Sequence, residues 1–102
     1  MMTKFYIYKI FFTDDPNNIL YIGSTNNMSR RKSQHKKNTT NKCSKHYKQP
    51  LYQYIRGCGG FDKFTIEQIA ELDYIDKPDR FRKEQEYINL YESKLNINKP
   101  IL

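Results

Sequence analysis

Tyr21-Ile22-Gly23-Ser24-Thr25-Asn26-Asn27-Met28-Ser29-Arg30-Arg31-Lys32-Ser33-Gln34-His35 changes character partway along, and the change sets the fold. Tyr21 and Ile22 are β-formers. Gly23 suits a backbone position that other residues resist, which predicts a tight turn at the end of a strand. Asn26 or Asn27 can cap a helix with its side-chain oxygen. The helix is predicted over Met28 to Lys37. Arg31 and His35 lie four apart on it and share one face. A tyrosine, an arginine and a histidine would then meet at a strand-to-helix junction. Such a junction suits a phosphate, because free N–H groups and basic side chains point the same way.

The surrounding charge agrees with that reading. The chain has 102 residues and a net charge of +7, enough for one domain over 1–102 with one modest core. Between Asp15 and Asp62 no acidic residue occurs, while Arg30, Arg31, Lys32, Lys36, Lys37, Lys42, Lys45, Lys48 and Arg56 all do. The rest of the chain has nine basic against eleven acidic residues, so this one interval carries the whole positive excess. A solvated face would mix signs, so a polyanion partner is expected for these nine side chains. No apolar run is long enough to span a membrane and no leader precedes the first strand, so the default is a soluble protein of cytoplasm or nucleus. Cys43 and Cys58 do not make a disulfide framework. With His46 they offer three zinc ligands, one short of a structural site. Lysine outnumbers arginine 13 to 5, a bias of AT-rich coding that suits a virus, a phage or a mobile element.

Lys4 to Phe12 is aromatic and β-branched without Gly or Pro, and predicts a strand. Its nearly continuous apolar run predicts a central strand buried on both faces. Thr13 to Asn18 is dense in turn formers. Ile19 to Ser24 is the second strand, joined to the first as an antiparallel hairpin that brings Tyr6 or Tyr8 near Tyr21. Asn38 to Ser44 is loop-like. His46 to Arg56 is expected as a second helix with Leu51, Tyr54 and Ile55 on its apolar side. Gly57-Cys58-Gly59-Gly60 stops it. Phe61 to Leu72 is the third strand, with Phe64, Ile66 and Gln68 on one face. Pro78 opens the last helix, with Asp76 or Asp79 at its positive end, and the helix runs to about Ser93. Phe81, Ile88, Tyr91 and Leu95 form its apolar stripe. Glu84 lies on that same stripe. A carboxylate facing a core is costly unless a cation meets it, either a lysine or arginine or a divalent metal. Glu86 falls on a solvated face.

These residues resemble the GIY-YIG nuclease family over nearly the whole chain. Tyr6-Ile7-Tyr8 matches the first tripeptide and Tyr21-Ile22-Gly23 the second. Arg31 stands where the family keeps a catalytic arginine, and His35 where several members have a histidine. Glu84, followed by Tyr87-Ile88, looks like the family's metal-binding glutamate. Asn96 resembles its late asparagine, with Asn98 competing for that place. Two departures stand out. Tyr6 replaces the first glycine, which could shift the backbone there. Ser24 replaces a lysine that some members carry after the second tripeptide, which removes that proton-relay option.

The resemblance implies an α/β (α+β) domain, a small three-stranded antiparallel sheet flanked by helices. It also implies hydrolysis of DNA phosphodiesters with one divalent ion, Mg²⁺ or Mn²⁺, held by Glu84. Arg31 would neutralise charge on the phosphoryl oxygens. Tyr8 or Tyr21 would take the proton of the attacking water. A phenol of pKa about 10 needs a nearby cation for that, and Arg31, the metal or a protonated His35 could serve. The second reading is a non-catalytic nucleic-acid-binding module on the same fold, for which the basic segment alone suffices. RNA is an open alternative to DNA. Without a separate recognition region, specificity would come from the 38–44 loop, the 57–60 turn, DNA shape or a partner protein, in an oligomeric state that is open.

Overall fold

The computed structural model describes residues 4–73 and 76–93. Strand β1 (Phe5–Phe12) forms a hairpin with β2 (Ile19–Thr25), and β3 (Phe64–Leu72) pairs with the other side of β1. The sheet is antiparallel throughout in the order β2-β1-β3. Helices α1 (Met28–Thr40) and α2 (Pro50–Gly57) fall between β2 and β3, and α3 (Lys77–Tyr91) follows β3. This is the α+β architecture that the sequence predicts.

The central place of β1 explains its lack of clean alternation. Tyr8 and Ile10 pack with Leu20, Leu51, Tyr52, Ile55 and Phe64. Ile7 and Phe11 pack on the other face with Ile19 and Ile22, under Tyr87, Ile88 and Tyr91 of α3. One strand thus feeds two cores, one under α1 and α2 and one under α3. Tyr6, in place of a glycine, does not displace the hairpin: the register with β2 runs unbroken from Tyr6↔Thr25 to Ile10↔Tyr21.

Several boundaries differ from the sequence reading. Helix α1 continues to Thr40, where the Asn41 N–H closes the last turn on the Lys37 carbonyl at 2.8 Å, and the Thr39 and Thr40 hydroxyls donate to the carbonyls of His35 and Lys36. Helix α2 begins at Pro50, not His46, since proline fits the first turn and not a helix interior. A single 3₁₀ turn (Phe61–Lys63) precedes β3, which starts at Phe64. Along β3, Phe64 is buried and Ile66 half-buried, and Gln68, paired opposite Tyr8, shares their face as expected but is exposed; just beyond it the register with β1 shifts, between Ile7 and Tyr8. That shift turns Ile69, Ala70 and Leu72 toward the α3 core. Asp76 caps α3, accepting from the Asp79 N–H at 3.0 Å, as one of the two expected aspartates. Among the described residues no helix is long and apolar enough to cross a membrane.

Candidate active site

Gly23 is not a turn residue. It lies inside β2, directly opposite Tyr8, and its φ is not positive. What demands glycine is space: a Cβ there would stand 2.5 Å from Tyr8 Oη, 2.6 Å from Tyr8 Cζ and 2.9 Å from Tyr21 Cε2. The Tyr8 ring lies across the bare backbone, and no part of it reaches solvent. Strand β2 continues to Thr25, and Asn27 is the cap of α1, accepting from the Arg30 N–H at 3.0 Å. The first turns of α1 therefore hang over the Tyr8 side of the sheet.

That overhang brings Arg31 and His35 onto the tyrosine. Arg31 Nη1 donates to Tyr8 Oη at 3.3 Å, and His35 Nε2 lies 2.8 Å from the same oxygen. The rings of Tyr8, Tyr21 and His35 cluster, with centroids 5.6 to 6.3 Å apart. The other nitrogen of His35, Nδ1, lies 2.8 Å from Tyr52 Oη on α2. Asn38 Nδ2 also donates to that hydroxyl, at 3.2 Å. Tyr52 has no place in the sequence reading; its only local signal is its position two residues after the proline that opens α2.

Burial sets the charge states. Desolvation, with Arg31 nearby, lowers the His35 pKa to about 4. The imidazole is thus neutral near pH 7, which corrects the expectation that a protonated His35 would activate a tyrosine. Burial pushes the Tyr8 phenol above its usual range, and Tyr21 adds to this, while Arg31 pulls it back down. Tyr52 is likewise raised by burial, and Asn38 opposes the shift.

Glu84 is the one buried carboxylate among the described residues, at 6% exposure. It points from α3 to β2, where Ser24 Oγ donates to its Oε2 at 2.6 Å. Ser24 is thus a partner of the carboxylate, a role invisible in the sequence. Side chains alternate along β2, so Tyr21 and Gly23 face α1 while Ile22 and Ser24 face α3. The tyrosine cluster and the carboxylate approach the same edge strand from opposite faces. Glu84 and Ser24 present hard oxygen donors of the kind Mg²⁺ takes. Among the described residues no three His, Cys, Asp or Glu side chains stand together as a metal site. A cation here would draw one carboxylate from the protein and fill its shell with water and phosphate oxygens, as Mg²⁺ commonly does. Glu86 is exposed and pairs with Lys83 at 3.5 Å. Leu95, Asn96 and Asn98 lie outside the described residues.

Beside the cluster opens a cleft of about 810 Å³, lined by Tyr21, Arg31, Gln34, His35, Tyr52 and the 41–49 segment. Among the described residues its lining holds no carboxylate, and Lys37 and Lys45 border it. Arg30, Lys32, Lys36, Lys42 and Lys48 are exposed as well. Arg56 departs from that set: its guanidinium donates to the carbonyls of Thr39 and Tyr47 and stacks on the Tyr47 ring at 3.6 Å. It braces the loop between α1 and α2 instead of standing out as a surface cation. Cys43 and Cys58 are exposed thiols.

Compared with known families, residues 4–97 match the model of the GIY-YIG catalytic domain. No curated protein and no solved structure matches the chain.

Proposed function

Since the chain belongs to the GIY-YIG family, whose members are endonucleases acting on nucleic acid, we propose that it is a divalent-metal-dependent DNA endonuclease. The observation that carries this reading is Tyr8 Oη, held between the Arg31 guanidinium and the neutral His35 Nε2. A buried structural tyrosine needs one hydrogen-bond partner for its hydroxyl; a guanidinium and an imidazole on the same oxygen, beside a basic cleft, go beyond that need.

The placement supports the following roles. Glu84 would hold the cation, with Ser24 fixing the carboxylate. A bound Mg²⁺ or Mn²⁺ supplies charge neutralisation at the scissile phosphate and the leaving oxygen. Arg31 lines the cleft and contacts Tyr8, so it is within reach of a phosphate entering there. Drawn toward that phosphate, it both neutralises the phosphoryl oxygens and uncovers the Tyr8 hydroxyl. Tyr8 takes the proton of the attacking water, having passed its own to His35. Tyr21, half-buried and lining the cleft, orients the water. Lys37 and Lys45 hold flanking phosphates.

Nicking of supercoiled plasmid in Mg²⁺ tests this. Wild type is expected to cleave, and Glu84→Ala and Arg31→Ala are expected not to. If Glu84→Ala cleaves like wild type, the assigned metal ligand is wrong. Salt-sensitive binding without cleavage by wild type, in Mg²⁺ or Mn²⁺, would favour the binding module.

A further inference from the structure

The Tyr8 hydroxyl is sealed from solvent, so a proton that leaves it has no direct way out. Its two hydrogen-bond partners are Arg31, which can only donate, and His35 Nε2. The Tyr8 O–H therefore donates to Nε2, and the neutral ring must carry its own proton on Nδ1. That proton is donated to Tyr52 Oη, 2.8 Å away. Asn38 Nδ2 donates to the same oxygen, while Asn38 Oδ1 is held by Ser44 Oγ at 2.6 Å, which fixes the amide orientation. With both acceptor sites of Tyr52 filled, its own O–H turns to the cleft that Tyr52 lines.

We propose that Tyr8, His35 and Tyr52 form a directed proton relay that carries the Tyr8 proton to the cleft, with Tyr52 as the outlet and Asn38 as its positioning residue. This rests on Tyr8 being the base of the cleavage reaction. In one passage, the Tyr8 O–H bond breaks and Nε2 gains that proton. Nδ1 gives its proton to Tyr52 Oη, and the Tyr52 proton passes to a water in the cleft. Tyr8 is left as a phenolate beside Arg31, His35 has exchanged tautomers, and Tyr52 is unchanged. Once Arg31 turns to the phosphate and uncovers it, the phenolate removes one proton from the attacking water, so the net result is one proton delivered to solvent.

The relay has to be concerted for a physical reason. His35 is enclosed and faces Arg31, so an imidazolium is disfavoured there and the ring cannot store the proton. It can only pass it on. The charged groups bordering the chain are Arg31 at the Tyr8 end and Lys37 and Lys45 at the cleft. Arg31 opposes a second positive charge at the buried end and so favours its exit, while Lys37 and Lys45 are exposed at the outlet, where water screens them.

Two measurements test the relay. The first is the tautomer of His35 in the wild-type protein at neutral pH, from its ring ¹⁵N shifts. The Nδ1–H form is expected, changing toward Nε2–H in Tyr52→Phe, where the acceptor is gone. The second is cleavage of plasmid by wild type, Tyr52→Phe and Asn38→Ala in H₂O and D₂O mixtures. Tyr52→Phe is expected to lose about tenfold to a hundredfold in kcat with KM nearly unchanged, and its proton inventory to go from curved to linear. Asn38→Ala is expected to show a smaller loss of the same kind. A merely structural Tyr52 would lower Tm and leave the inventory alone. An Nε2–H tautomer in a wild type that cleaves overturns the relay and leaves the nuclease standing, as does Tyr52→Phe cleaving at the wild-type rate. No cleavage by wild type overturns both. The wild-type tautomer needs no variant, so a Tyr52→Phe that fails to fold does not shelter the proposal.

Discussion

Gly23→Ala places a methyl group inside the Tyr8 ring. The added carbon would lie 2.5 Å from Oη and 2.6 Å from Cζ of Tyr8, and 2.9 Å from Tyr21 Cε2. A flexible side chain could step aside, but Tyr8 is enclosed and its hydroxyl is tied to His35 and Arg31. Overpacking of this kind costs about 1–3 kcal/mol. Pulling the ring away from its two partners adds about 0.5–1.5 kcal/mol for each hydrogen bond lost. Against this, alanine reduces the freedom of the unfolded chain, worth about 0.4–1 kcal/mol. The strand φ at Gly23 adds no strain, since it is not positive. The net expectation is a destabilisation of about 3 kcal/mol, the middle of a span of about 1–6 kcal/mol, or about 12–24 °C in Tm at that middle value for a domain of this size. Urea unfolding followed by circular dichroism measures it. The diagnostic arm is a double-mutant cycle: in a Tyr8→Val background the obstruction is gone, and Gly23→Ala should be neutral or slightly stabilising. Equal losses in both backgrounds would refute the packing argument and return Gly23 to a backbone role. Plasmid nicking should fall in Gly23→Ala more than stability alone explains, because the Tyr8 oxygen is the atom displaced.

Glu84→Gln is expected to keep the fold, because Ser24 Oγ can still donate to the amide oxygen, while Mg²⁺-dependent cleavage is lost and DNA binding at low salt is retained; gel shift and nicking separate the two. Stability should fall as pH drops from about 6.5 toward 4: the folded His35 pKa lies below its unfolded value, so the unfolded chain binds the extra proton across that window. The loss is of order 3 kcal/mol, and the part of the slope due to this group should vanish in His35→Gln, measured by urea titrations at a series of pH values. Lys37→Glu with Lys45→Glu should weaken DNA binding and reduce the salt slope by about 0.9 for each phosphate contact removed, read from affinities at several salt concentrations. Arg56→Ala should instead lower Tm and leave the salt slope unchanged, because its guanidinium serves the Thr39 and Tyr47 carbonyls.

The sequence determined the order of elements, because each rests on information local to the chain. The β-branched aromatic run of β1, Asn27 before α1 and Asp76 before α3 act within a few residues of where they stand. Pro50 belonged to the same local code and places the start of α2 where proline rules require it. The spacing of Arg31 and His35 and the misfit of Glu84 on its apolar stripe were legible too, since helical periodicity fixes which residues share a face. Tertiary packing decided the rest. Whether Gly23 answers to conformation or to space depends on Tyr8, which reaches it only across the hairpin. Glu84 meets Ser24, and His35 meets Tyr8 and Tyr52, across 60, 27 and 17 residues of chain, and no local pattern couples such positions. The charge of His35 follows from enclosure by three elements, and desolvation is a property of everything packed around a group, not of its neighbours in sequence.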